Sequence, residues 1–364
     1  MKKSKFIDVF DDVTKQGTKI PTNLYLENGL YPIIDQGQAD IAGYTNQSEG
    51  LFTDVPAIVF GDHTRIIKYV DAPCFLGADG VKLLKAKSEN ANYKYLYYAL
   101  CKADIPNTGY NRHFKWLKEI EIPNYSEQVQ NDIVMQLEKV DQLISLRKQQ
   151  LAKLDELVKS RFIEMFGDVI NNDRNWPMAT MEDVAEIKIG PFGTLLHKED
   201  YIVGGHALVN PSHIVDGKIS VDISLTISDE KYEELSAYHL KIDDIVLGRR
   251  GEMGRCAVVR EEGLLCGTGS LIIRPNEKLK PYFLQTIISN PTYKKIIEDK
   301  AVGVTMMNLN VPIVESLRVP MLPIELQNDF ISFMEQVDKS KFEIQKSLEK
   351  LETLKKALMQ KYFG

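Results

Sequence analysis

The chain has 364 residues, 44% hydrophobic and 26% charged, a balance that supports one to three folded domains. Its formal net charge of −6 argues against a stand-alone, non-specific DNA binder, which would carry a cationic surplus, yet leaves room for basic patches. No apolar run approaches the roughly 18 to 20 residues a membrane span needs, the opening MKKSKFIDVFDDV is acidic where a secretory leader would be apolar, and Cys74, Cys101, Cys256 and Cys266 form no CxxC pair, so a cytoplasmic chain with buried free thiols and no zinc site is expected.

Residues 1–122 contain the short β-like runs AIVFG and GVKLL and the helix-like KYLYYAL, the mixture of a compact α/β domain. The polar triplet His63, Thr64 and Arg65 follows AIVFG. Near the end of this region GYNRHFKW combines Asn111, Arg112, His113 and Lys115 with Tyr110, Phe114 and Trp116. Amides and guanidinium groups in such a loop can meet base edges and phosphates while the aromatics hold it in place.

From 123 to 168 the pattern changes. No proline follows Pro123 until Pro177, Ser126 suits an N-cap, and Ile133, Leu137, Val140, Ile144, Arg147, Leu151, Leu154 and Val158 alternate steps of four and three. That 3.5-residue period predicts a coiled-coil seam on one helix, about 60 Å long at 1.5 Å per residue.

Residues 169–319 return to β-like runs: DDIVLG, CAVVR and SLIIRP. Three polar, glycine-marked loops stand out here. KIGPFGTLLHKED carries Thr194 and Lys198, GRRGEMGR carries Arg249, Arg250 and Arg255, and GVTMMNLN carries Asn308 and Asn310 at the place where GYNRHFKW precedes the first helix. A backbone-hugging DNA loop and a glycine-rich hairpin with solvated charges are both open readings of GRRGEMGR. AIVFGDHTR also echoes DIVLGRRGE, DGVKLLK echoes TGSLIIR, and KYLYYAL echoes PYFLQTI.

Residues 320–364 form a second helix that repeats the first. IEIPNYSEQVQNDIVMQLEKVD lies over LRVPMLPIELQNDFISFMEQVD, and KLDELVKSRFIEMFG over KLETLKKALMQKYFG, without a gap at an offset of 197 positions. Pro323, opposite Ser126, suits a first helical turn. The second seam runs Phe330, Met334, Val337, Lys341, Ile344, Leu348, Leu351, Lys355, Leu358 and Tyr362 in the same phase. Arg147 and Lys341 stand where the other copy has Ile344 and Ile144, as expected for helices that pair with each other rather than each with its own kind. The fold class expected is α+β: two mixed α/β domains joined by two long helices in an antiparallel coiled coil, a tandem repeat with pseudo-twofold character.

Catalytic signatures are lacking. NPTY resembles the Asn-Pro-Pro-aromatic motif of amino-methyltransferases, but Thr292 replaces the second proline and no glycine-rich cofactor loop accompanies it, so a helix-starting turn is expected there. CGTGS lacks the Lys-Ser/Thr of a P-loop and reads as a turn between strands. The six histidines show no metal-ligand spacing.

Taken together, the gapless helix repeat with QND, the L-x-x-L seam and the closing FG in both copies resemble the specificity subunit of type I restriction-modification systems over essentially the whole chain. GPFGTLLHKED, DDIVLGRRGEMG and GYNRHFKW are similar to segments of that family's target-recognition domains. The resemblance implies that each domain reads one half of a bipartite target in double-stranded DNA and that the coiled coil sets the unread spacer. It also implies two modification (methyltransferase) subunits docked on the helices, restriction subunits beyond them, and S-adenosylmethionine, ATP and Mg in those partners, with no cofactor and no catalysis in this chain. His63, Thr64, Arg65, Tyr110, Asn111, Arg112, His113 and Lys115 would then serve one half-site, and Thr194, Lys198, Arg249, Arg250, Arg255, Asn308 and Asn310 the other. The alternative is a coiled-coil scaffold tethering two protein-binding modules without touching DNA.

Overall fold

The computed structural model describes residues 2–77, 79–192, 195–302 and 308–364. The two long helices are Glu127–Phe166 and Ile324–Phe363, of 40 residues each, so their limits carry the same offset as the sequence repeat. Pro323 lies just outside its helix: its carbonyl accepts the Gln327 N–H at 3.2 Å, as the Ser126 carbonyl accepts that of Gln130 at 2.9 Å. A residue without an N–H loses nothing there, because the first turn's donors have no intrahelical partners anyway.

The seam falls where the spacing puts it. Ile144, Arg147, Leu151, Leu154 and Val158 are half-buried while every residue between them is exposed. The chain divides into two compact units, 1–151 with 343–364, and 152–342, so each unit contains a segment of both helices. Within the first unit Asp141 pairs with Lys355 at 2.5 Å, and Arg147 Nε donates to Ser347 Oγ at 3.2 Å. Within the second, Asp155 pairs with Lys341, and the Phe162 and Phe330 rings meet edge to face at 5.3 Å. In each unit positions rise along one helix as they fall along the other, which makes the pairing antiparallel. The polar seam residues Arg147, Lys341 and Lys355 thus each find a polar partner on the facing helix.

In the first unit, strand Ala57–Gly61 is buried at every position, as an uninterrupted apolar run in a covered sheet should be. It lies between Val81–Ala86 and Ile67–Val70, with Phe10–Asp12 outermost, all antiparallel. Helix Tyr93–Cys101, capped by the Asn92 side chain on the Tyr95 N–H, contributes Tyr95, Leu96 and Leu100 to a core that also takes in Ile133, Leu137 and Met359 from the long helices. A second sheet orders Lys19–Ile20, Phe75–Gly77, Tyr31–Ile34 and Gly43–Thr45, with Phe75–Gly77 parallel to both of its neighbours. Lys3–Lys5 pairs with Glu121–Pro123 just before the first long helix.

The second unit is built to the same plan. Ala185–Ile189, Ser270–Pro275, Ile245–Gly248 and Cys256–Val258 form an antiparallel sheet in the corresponding order, and Met178–Thr180 pairs with Arg318–Pro320 before the second long helix. Helix Pro281–Ser289 takes the place of Tyr93–Cys101, as the echo of KYLYYAL in PYFLQTI predicts. Here too a second sheet ends in a parallel pair, His206–Val209 with Leu265–Cys266. Phe162, Phe166, Phe283 and Phe330 cluster where the long helices meet the domain. NPTY starts a helix, Pro291–Lys300, with the Asn290 side chain accepting the Thr292 N–H at 2.9 Å, and CGTGS turns between Leu265–Cys266 and Ser270–Pro275.

Candidate nucleic-acid interface

In both units the polar loops gather at the end of the central strand. In the first unit that strand ends at Gly61, whose N–H bonds the Ile66 carbonyl at 2.7 Å and closes a turn over His63, Thr64 and Arg65. Gly61 cannot carry a side chain: a Cβ would stand 2.2 Å from Thr64 Oγ1 and 2.9 Å from Gln36 Cβ. Arg65 adopts φ 65°, a left-handed backbone that an L-residue rarely takes.

Asp62 fastens the second loop to this turn. Its carbonyl accepts both the backbone N–H of His113 at 2.8 Å and that residue's Nδ1 at 2.9 Å, and its Oδ1 accepts the Phe114 N–H at 2.7 Å. The loop then places Tyr110 flat against His63, with ring centroids 4.6 Å apart and planes 5° apart, while His63 Nδ1 meets the Asn111 carbonyl at 3.2 Å. Tyr110 is 87% exposed, and Asn111 and Arg112 are exposed beside it. Lys115 is exposed with its ammonium 4.1 Å from the Trp116 ring. Thr64 is exposed but spends its hydroxyl on the Gln36 carbonyl at 2.7 Å.

Two of the expected contact residues in this unit are engaged by the fold itself. His113 is fully buried, so its ring shapes the loop and cannot reach a nucleic acid. Arg65 directs Nη1 at the Ile105 carbonyl at 3.2 Å, with its Nε buried.

In the second unit the residue after the central strand is Arg249, only 8% exposed. Its N–H bonds the Gly269 carbonyl at 3.0 Å, its carbonyl accepts the Leu309 N–H at 3.0 Å, and its Nε donates to Asn308 Oδ1 at 3.0 Å. Burial, with the neighbouring Arg250 adding repulsion, pulls the guanidinium below the ordinary arginine pKa. Arg250 is exposed. Sequence reasoning placed Arg249 and Asn308 in one half-site, and the structure joins them across 59 residues.

Arg255 and Asn310 are likewise engaged by neighbouring groups. Arg255 is held by Glu252 and by the Pro211 carbonyl at 3.2 Å, and Glu252 also binds Lys294 at 3.2 Å. Asn310 caps helix Val311–Glu315 through the Ile313 N–H at 3.0 Å. Lys198 is exposed on a short 3-10 turn, and Thr194 lies outside the described residues, as do 303–307 of GVTMMNLN.

Sequence reasoning missed three residues that build these loops. Gln36 accepts the His63 N–H on Oε1 at 3.2 Å and takes the Thr64 hydroxyl on its carbonyl. Asp62 joins two loops 51 residues apart. Asn210 approaches the Gly269 N–H at 3.4 Å in the second unit. A polar residue within two positions of the end of an apolar strand, as in AIVFGD, YPIIDQ and HALVN, is the available signal.

The sequence pattern of the type I restriction modification DNA specificity domain matches residues 1–156 and 173–356. The chain belongs to this family. It is 28% identical over 196 residues to a Methanocaldococcus jannaschii protein assigned as the MjaX specificity subunit, covering 52% of this chain and 45% of that one. Against that relative it therefore matches about half the length. It is 21% identical over 316 residues to the type I restriction enzyme MjaVIII specificity subunit of the same organism, covering 78% and 74% of the two chains. Among solved structures it is similar to the type I restriction-modification S subunit from M. genitalium, at 18% identity, a TM-score of 0.62 and coverage of 100% and 96%. That likeness extends to the fold, including the two long helices. Among the described residues, no group of three or more His, Cys, Asp or Glu is placed to hold a metal ion, and no helix is long and apolar enough to cross a membrane.

Proposed function

We propose that this chain is the DNA-reading subunit of a type I restriction-modification complex, in which each unit reads one half of a bipartite target. The observation that carries this is the recurrence of one scaffold with different tips. In both units a loop from just before a long helix is hydrogen-bonded to the residue that follows the central strand. The first unit presents Tyr110, Asn111 and Arg112 there, and the second presents Arg249, Arg250 and Asn308. The same frame with unlike side chains is what reading two unlike half-sites requires.

The paired long helices would fix the unread spacer and dock two modification subunits. Methyl transfer from S-adenosylmethionine, and ATP- and Mg-dependent cleavage by restriction subunits, would then lie in those partners, with no cofactor held by this chain. Partner subunits would also supply much of the phosphate contact around the duplex, which fits a net charge of −6. Expression together with the modification subunit, followed by methylome sequencing, tests the reading. A bipartite methylated motif is expected, and Arg112→Ala should relax one half of it alone. Absence of any such motif would favour a scaffold that never touches DNA.

A further inference from the structure

Arg249 is a desolvated cation without a counter-charge. It is 8% exposed, and among the described residues no carboxylate lies within ion-pair distance of it, although the nearby Arg255 and Arg274 are both paired with acids. The stretches outside the described residues contain no Asp or Glu. A buried guanidinium of this kind is costly unless an acceptor completes it.

Its surroundings show what form that acceptor takes. The main chain of Arg249 is bonded on both sides, to Gly269 and Leu309, and Asn308 Oδ1 occupies Nε, so among the described residues the two terminal nitrogens are left as a fork of known plane. Gly248 and Gly251 flank it on the loop, and a Cβ at Gly251 would meet nothing within 4 Å, so the loop is low enough for another molecule to come close. Phosphate binding needs only a flexible exposed cation, and the adjacent, exposed Arg250 already provides one. A recessed guanidinium of fixed plane suits a target that presents two acceptors side by side in a rigid edge, as guanine does with O6 and N7. In the first unit the matching position is Asp62, a carboxylate that offers no guanidinium fork and whose Oδ1 already accepts the Phe114 N–H.

We propose that Arg249 reads a guanine in the half-site of the second unit and that Asn308 is its positioning residue. This rests on the DNA-reading function proposed above. A phosphate would engage the same two nitrogens, and the test separates the two.

The test is methylome sequencing of the complete complex carrying wild-type chain, Arg249→Lys, Arg249→Ala, Asn308→Ala or Arg250→Ala. The wild-type motif should contain an invariant guanine in one half. Arg249→Lys keeps the charge but loses the fork, and should cut the preference for that guanine about ten-fold or more. Asn308→Ala should relax the same base to a lesser degree, and Arg250→Ala should lower methylation without changing the motif. An intact other half shows that each variant is folded. Uniform loss with an unchanged motif in Arg249→Lys and Arg249→Ala would mean a phosphate contact and overturn the inference, as would full retention of the guanine in both. A wild-type complex with no bipartite motif would instead overturn the DNA-reading function itself, and this inference with it.

Discussion

Asp62 and Arg249 hold the same place in the two units with opposite charge. Each follows the last residue of the central strand. Each gives its N–H to a glycine carbonyl, Gly80 at 2.6 Å and Gly269 at 3.0 Å, and each receives on its own carbonyl an N–H from the loop before a long helix, His113 at 2.8 Å and Leu309 at 3.0 Å. The backbone frame was kept while the side chain was turned to different work: inward as a carboxylate that fastens a loop, or as a guanidinium that retains two donors.

The Asp62 carboxylate should therefore matter for stability. Asp62→Ala leaves the buried Phe114 N–H without its acceptor and should cost about 1–3 kcal/mol, read as a shift in urea midpoint. Asp62→Asn, which keeps Oδ1, should cost less. An Asp62→Ala midpoint equal to that of the wild type would remove Asp62 as the fastening residue.

Gln327 is fully buried and makes three hydrogen bonds: Nε2 to the Leu322 carbonyl at 2.8 Å and to that of Lys278 at 3.1 Å, and Oε1 from the Lys280 N–H at 2.8 Å. Its repeat mate Gln130 is half-buried and bonds only the Tyr125 carbonyl, at 3.0 Å, among the described residues. Gln327→Ala should lower unfolding free energy by roughly 2 kcal/mol and Gln130→Ala by about 1 or less. Equal losses in denaturant titrations would contradict the difference in burial.

Hydrogen bonds from Arg255 and then Lys294 hold the Glu252 carboxyl below the ordinary glutamate range. A depressed folded pKa means that the pairing stabilises the loop above the unfolded value, roughly pH 4.3, and that this support fades as pH falls through the lower folded value. Wild type and Glu252→Gln should therefore differ in stability near neutrality by a constant amount, and converge in acid. A difference that grew on acidification would reverse the sign and exclude this pairing as its source.

Burial pushes the thiols of Cys74 and Cys256 up to about 11 and that of Cys266 higher still. At pH 8 almost none of these is thiolate, so a disulfide exchange reagent should modify them slowly in the native chain and rapidly in denaturant. Fast native labelling, located by peptide mapping at any of the three, would contradict the packing.

The long helices were legible because their information is local and periodic. Apolar steps of four and three from Ile133 to Val158 predict a helix and its buried stripe together, and the half-buried positions Ile144, Arg147, Leu151, Leu154 and Val158 follow that phase. The second sheet of each unit was not legible. Lys19–Ile20 and Phe75–Gly77 are too short to show alternation, and their parallel pairing spans more than fifty residues. The loop residues divide for a similar reason. Glu252, three positions before Arg255, was a visible local partner that marked the arginine as paired. By contrast, the burial of His113 depends on Asp62, and the orientation of Arg249 on Asn308, both distant in the chain.

The glutamine of the repeated QND reaches back five residues in each copy, to Tyr125 and to Leu322, themselves repeat mates. What the copies share is thus attachment, the way a reading unit is seated on its helices, and what they do not share is the message. A chain that carries two such copies is its own control: aligning one half on the other cancels the common syntax and leaves, at positions such as Asp62 against Arg249, the vocabulary in which the two halves differ.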